Sequence, residues 1–148
     1  MQKRDLREII LFPMVARNHF CLMVYSKEEE KMLLLDSMRL FKRSSPEVQN
    51  MTKYLQNNLL NVTVRTPSKV PEQRNLVDCG IYTILMAEEF LRQWQGGTKM
   101  LQMQFYIEQE EVNMAKENIF FILKTEGLRK AENPDIGECD VDKMWNDN

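Results

Sequence analysis

The segment Pro71-Glu72-Gln73-Arg74-Asn75-Leu76-Val77-Asp78-Cys79-Gly80 is a polar loop running into a helix, with a cysteine at the junction. The loop side, Thr66–Arg74, holds two prolines, which disfavour regular structure there. The helix side, Asp78–Gln95, carries Ile81, Ile84, Leu85, Leu91 and Trp94 as an apolar stripe and stops at Gly96-Gly97. A cysteine in this place has a chemical consequence. The thiolate is the nucleophilic form, and a helix N-terminus or an adjacent imidazolium lowers a thiol pKa. Asp78 is placed to cap the helix, and Gly80 lets a substrate backbone approach without a side chain in the way.

Cysteine chemistry of this kind needs an imidazole, and the 148 residues contain one histidine, His19. Upstream of the loop, Ile9–Val15, Asn18–Tyr25 and Met32–Leu35 read as three strands of an antiparallel meander. The charged run Glu28-Glu29-Glu30 sits at a hairpin tip. A turn centred between residues 27 and 28 pairs residue 19 with residue 36. Hairpin counting thus sets His19 opposite Asp36, where a carboxylate fixes the imidazole tautomer and stabilises the imidazolium. Each residue also has an ordinary structural use: a histidine on a strand, an aspartate at a turn, a cysteine in a core. Their combination, with Gln73 six positions before Cys79, is what points to catalysis.

The remaining chain completes an α+β pattern. Ser45-Pro46-Glu47 starts a helix, with Ser at the cap and Pro at the first helical position. Val48, Met51, Leu55 and Leu59 follow at helical spacing, and the helix is expected to end near Asn61. Val62-Thr63-Val64 is one more candidate strand. Gln109–Glu126 reads as a last helix, with Val112, Ala115, Ile119, Ile122 and Leu123 inward and Gly127 as its stop. From Ala131 onward the chain is acidic and expected to be loose, with Met144-Trp145 as a possible docking point.

Apolar residues at 43% suffice for a core, and 28% charged residues suit a soluble surface. A net charge of −2 speaks against nucleic-acid binding through a broad basic face. The apolar runs, such as Ile119–Leu123, are too short to span a bilayer. Cys21, Cys79 and Cys139 are an odd set without framework spacing, which implies a reducing compartment, nuclear or cytoplasmic, and no metal site. Cys21 shares its strand face with His19 and is read as core.

At these residues the chain resembles the Ulp/SENP cysteine proteases, which cleave SUMO and related ubiquitin-like proteins. The family order His, Asp, Gln, Cys falls on His19, Asp36, Gln73 and Cys79. Its nucleophile segment, Pro-Gln-Gln-x-Asn-x-x-Asp-Cys-Gly, is similar to residues 71–80. Ile81-Tyr82 and Leu33-Leu34-Leu35-Asp36-Ser37 also fit, and Pro67-Ser68-Lys69-Val70-Pro71 looks most like the branch that trims SUMO chains. The resemblance implies a papain-like fold in His–Asp–Cys order, a sheet packed on the Cys79 helix and further helices, over residues 1–130. Residues 131–148 would form the tail. It implies His19, Asp36 and Cys79 as a triad, with Gln73 and the Cys79 backbone N–H as oxyanion hole. Phe20, Gly80 and Asp78 would border the bound Gly-Gly tail. No cofactor is implied; the implied partner is a ubiquitin-like protein, SUMO first.

Three departures stand out. Phe20 takes the place of the usual Trp, and Glu72 that of a common Gln. Only 18 residues precede His19, where the family carries an N-terminal subdomain with a second tunnel aromatic. That part is expected to be missing or reduced, or supplied by a partner. Besides a protease, the chain thus reads as a binding module for a ubiquitin-like protein. An acyltransferase on the same scaffold is a third reading, which no residue favours.

Overall fold

The computed structural model describes residues 4–58 and 61–132. It divides into two compact units, Met1–Val112 and Asn113–Asn148. In the first unit a 3₁₀ turn at Leu6–Glu8 leads into β1 (Ile9–Ala16), β2 (His19–Ser26) and β3 (Lys31–Leu35). Helix α1 (Pro46–Asn57), β4 (Thr63–Arg65) and α2 (Cys79–Gln95) follow. After a second 3₁₀ turn at Met100–Gln102, α3 (Gln109–Glu132) begins.

The three predicted strands form the antiparallel meander β1-β2-β3. The fourth strand joins β3 in parallel, so the sheet is mixed rather than wholly antiparallel. A parallel neighbour needs a crossover, and α1 supplies it. β2 and β3 lie inside this sheet and are buried on both faces, which is why they read as almost continuous apolar runs. Alternation sorts their side chains. Leu22, Val24, Leu33 and Leu35 pack with Tyr82, Met86, Phe90 and Trp94 of α2. Cys21, Met23, Tyr25, Met32 and Leu34 pack with Phe41, and with Val48 and Leu55 of α1.

β1 is an edge strand, which makes room for Pro13. Ala16 and His19 flank a two-residue turn at Arg17-Asn18, with φ of 54° and 56°. Positive φ at both positions is the turn geometry whose twist suits a tight hairpin. In that register the even-numbered residues of β1 bond to β2, so the missing N–H of Pro13 falls on the open edge. Arg17 also holds both carboxylate oxygens of Glu47, at 2.8 and 3.0 Å, which ties the hairpin tip to the start of α1.

The chain departs from the sequence reading in four local respects. α1 ends at Asn57 rather than near Asn61. The inward stripe of α2 is centred on Tyr82, Met86, Phe90 and Trp94; of the predicted stripe, Ile81, Leu85 and Leu91 are partly buried against this core, while Ile84 is exposed. α3 runs through Gly127 to Glu132, since a lone glycine costs a helix only about 1 kcal/mol relative to Ala. Its first turn belongs to the first unit: Val112 is buried there, and Glu111 accepts the N–H of Glu108 as the far half of a capping box. In the second unit, taken by itself, Ile122 and Leu123 are exposed rather than inward. Leu59, Cys139, Met144-Trp145 and the tail beyond Glu132 lie outside the described residues.

Candidate active site

The meander and α2 converge where β2 begins. His19 is the first residue of β2, directly after the tight turn, and Asp36 follows the last residue of β3. Both are buried. His19 Nε2 and Asp36 Oδ1 are 2.5 Å apart. The register behind this contact is not the one that hairpin counting gives. The turn spans Lys27–Glu30, with Glu30 at φ 52°, and pairs Leu22 with Leu35. Continuing the ladder puts Cys21 opposite Asp36 and His19 two residues further along the same face. Such diagonal neighbours lie within reach of a ring and a carboxylate.

Asp36 is held on three sides. Its Oδ1 also accepts the N–H of Met38 at 3.0 Å, and its Oδ2 accepts the N–H of Phe41 at 2.8 Å. The Phe41 ring stacks on His19 with centroids 6.0 Å apart. Nδ1, the other ring nitrogen of His19, is buried and has no hydrogen-bond partner among the described residues. A histidine with a purely structural role normally satisfies both nitrogens, since a buried polar atom left alone costs about 1–3 kcal/mol.

Cys79 is the first residue of α2 and is buried, and its carbonyl accepts the Thr83 hydroxyl at 2.8 Å. The starts of β2 and α2 lie side by side: a Cβ built on Gly80 would sit 3.9 Å from Phe20 Cδ2. Phe20 is half-exposed there. Asp78 occupies the cap position, but its side chain makes no capping bond. Its Oδ2 instead accepts from Asn75 Nδ2 at 2.7 Å, and Asn75 Oδ1 accepts the N–H groups of Val77 and Asp78, each at 3.0 Å.

Gln73 joins the two halves. Its N–H donates to the carbonyl of Ser37 at 2.9 Å, beside Asp36. Its Oε1 accepts the Ser37 hydroxyl at 2.7 Å, and its Nε2 donates to the Asn75 carbonyl at 2.6 Å. The sequence reading used Ser37 and Asn75 only as parts of family-like segments, with no role in the site, and left Phe41 out. The spacing Asn-x-x-Asp before a helix was the available signal, because Asn side chains close turns onto backbone N–H groups two and three residues on.

Cys21 is different. It is fully buried in the α1-side core, and burial, then the negative charges of Asp36 and Glu47, push its thiol up to about 12. It stays a thiol at neutral pH and is no nucleophile. Among the described residues no three His, Cys, Asp or Glu side chains gather as a metal site, and no helix is long and apolar enough to cross a membrane.

The family model described as the Ulp1 protease family, C-terminal catalytic domain, matches residues 5–130. The chain belongs to the Ulp1 protease family. No curated protein matches the sequence. Among solved structures, it is similar to the SUMO protease Ulp1 with its catalytic cysteine oxidised to a sulfenic acid. The TM-score is 0.55 at 15% identity, over 82% of this chain and 54% of the other. The sulfinic acid form of the same protease gives a TM-score of 0.50 at 16% identity, over 73% and 49%. The chain thus spans about half the length of these structures, and the likeness establishes a shared α+β fold.

Proposed function

We propose that the chain acts as a cysteine protease that cleaves after the C-terminal Gly-Gly of a ubiquitin-like modifier, SUMO first. The observation that carries this reading is the buried His19, bonded to Asp36 through Nε2 and left without a partner at Nδ1. Asp36 accepts the Nε2 proton, so the neutral ring presents Nδ1 as a base. Membership of the Ulp1 protease family and the position of Cys79 at the start of α2 support the same assignment.

In this mechanism His19 Nδ1 takes the Cys79 proton, and the thiolate attacks the carbonyl carbon of the terminal glycine. The resulting oxyanion is met by the Cys79 backbone N–H and Gln73 Nε2. As the carbon–nitrogen bond breaks, the imidazolium returns its proton to the leaving amine, and a thioester remains on sulfur. Water, deprotonated by His19, then releases the modifier as a free carboxylate. Phe20 and Gly80 border the Gly-Gly tail, and Asp78 acts on it through the loop. Precursor maturation and removal of a modifier from a lysine both follow this chemistry, and both belong in the nucleus or cytoplasm. A domain of residues 1–130 followed by a separate tail fits this reading.

A binding module is the second reading, favoured by one observation: His19 Nδ1 makes no hydrogen bond to Cys79 or to any other described residue. It would hold a ubiquitin-like protein without cleaving it. Ubiquitin, NEDD8 and SUMO, each ending in a thiol-reactive electrophile after Gly-Gly, separate the two. A covalent adduct with SUMO seen by intact mass, and lost in Cys79→Ala, is the expected result. Stoichiometric binding with no adduct from the folded chain would overturn the protease reading in favour of the module.

A further inference from the structure

We infer that Ser37 and Asn75 are positioning residues that hold the Gln73 carboxamide in one orientation, with one N–H kept for the oxyanion. The inference rests on the acyl transfer proposed above. A carboxamide can sit in either of two flips, and only one puts its donors toward a reacting carbonyl. Here both ends are specified chemically. The Asn75 carbonyl can only accept, so the NH₂ group must face it. The Ser37 hydroxyl donates to the opposite end, Oε1. Nε2 carries two hydrogens and Asn75 takes one, which leaves the second without a partner among the described residues.

The same two residues relate this donor to the rest of the site. Ser37 adjoins Asp36, and its carbonyl also takes the Gln73 backbone N–H, so Gln73 is fixed to the strand end that carries the candidate triad acid. The Asn75 side chain binds Val77 N–H, Asp78 N–H and the Asp78 carboxylate, so it fixes the chain immediately before Cys79. One residue therefore spaces the two oxyanion donors, Gln73 Nε2 and the Cys79 N–H. Preorganised donors work because they need no reorganisation when charge develops. Ser37 is fully buried, so water does not replace its hydroxyl when it is removed.

The competing explanation is that Gln73 only staples the loop. The test uses two reactions of Cys79 in the full chain. Hydrolysis of a SUMO–aminomethylcoumarin amide passes through an oxyanion; alkylation of the sulfur by iodoacetamide does not. In Ser37→Ala, kcat should fall about tenfold with KM unchanged, less than the loss on deleting a donor outright. Alkylation at Cys79, read by peptide mapping, should keep the parent rate. Ser37→Thr should restore kcat, and Ser37→Ala should add nothing in a Gln73→Ala background. An unchanged kcat would overturn the inference, as would an equal fall in alkylation, which would mean that Ser37 acts through Asp36. If the parent chain hydrolyses nothing, the protease reading fails by itself. The side-chain ¹⁵NH₂ signals of Gln73 then decide: dispersed in the parent and collapsed in Ser37→Ala supports the lock, while unchanged signals refute it.

Discussion

His19 and Asp36 hang from paired strands whose side chains are packed on both faces. Gln73 and the approach to Cys79 hang from a loop whose shape is kept by side-chain hydrogen bonds, several of them at exposed Asn75. On the strand side, a group that loses its partner stays buried and unsatisfied. On the loop side, water can reach what is left behind at exposed Asn75, though not at buried Ser37. The strand half therefore couples chemistry to stability, and the loop half separates them.

Substitutions on the two sides test that contrast. Cys79→Ala should show the largest effect on chemistry, complete loss of electrophile capture, with the parent's thermal melt retained. Residual capture would place the nucleophile elsewhere. Asp36→Ala should lower turnover on the order of 10³-fold or more, by releasing the His19 tautomer. It should also destabilise the chain by roughly 3 kcal/mol, because Met38 N–H and Phe41 N–H lose their acceptor along with His19. A urea titration that found Asp36→Ala as stable as the parent would erase the distinction between the halves. Gln73→Ala should reduce kcat by about 10²-fold, the cost of one oxyanion donor. Its stability should change much less than that of Asp36→Ala; equal destabilisation would make the loop as integral to the fold as the hairpin.

The same contrast governs how much was legible in the sequence. Strand and helix positions came through because burial leaves a mark in the residues: β2 from Phe20 to Tyr25 and β3 from Met32 to Leu35 are apolar runs, and α2 stops at Gly96-Gly97. Phase was harder to read than period. Ile81, Ile84 and Leu85 fit a helical stripe as well as Tyr82, Met86 and Phe90 do; the sheet face puts Tyr82, Met86 and Phe90 at its centre, Ile81 and Leu85 at its margin and Ile84 outside. The hairpin register slipped by two residues because the turn, Lys27–Glu30, is centred between residues 28 and 29 rather than between 27 and 28. A slip of two leaves every side chain on its own face, so the His19–Asp36 contact survived the error. A slip of one would have destroyed it. The Ser37–Gln73–Asn75 network has no period at all, and loop hydrogen-bond partners emerge only once two distant segments are placed together.

Cys21 offers the finest test, because it lies in the ladder position opposite Asp36 without belonging to the chemistry. Burial, then Asp36 and Glu47, raise its folded pKa to about 12 from an ordinary 9.0. Below pH 9 both the folded and the unfolded thiol are protonated, and the residue gives no pH dependence. Between pH 9 and 12 the unfolded thiol ionises while the folded one does not. The unfolded state is then favoured, and stability falls as pH rises. Tyr25, also raised by burial and then by Glu30, adds to the fall in the parent, so the informative quantity is the difference from Cys21→Ala. Urea midpoints measured from pH 7 to 11 should give a constant offset between the two chains up to about pH 9, then a gap that narrows as the parent loses stability faster. A gap that stays constant to pH 11 would mean that the Cys21 thiol ionises as easily folded as unfolded. Water would then reach the face shared by Cys21, His19 and Asp36.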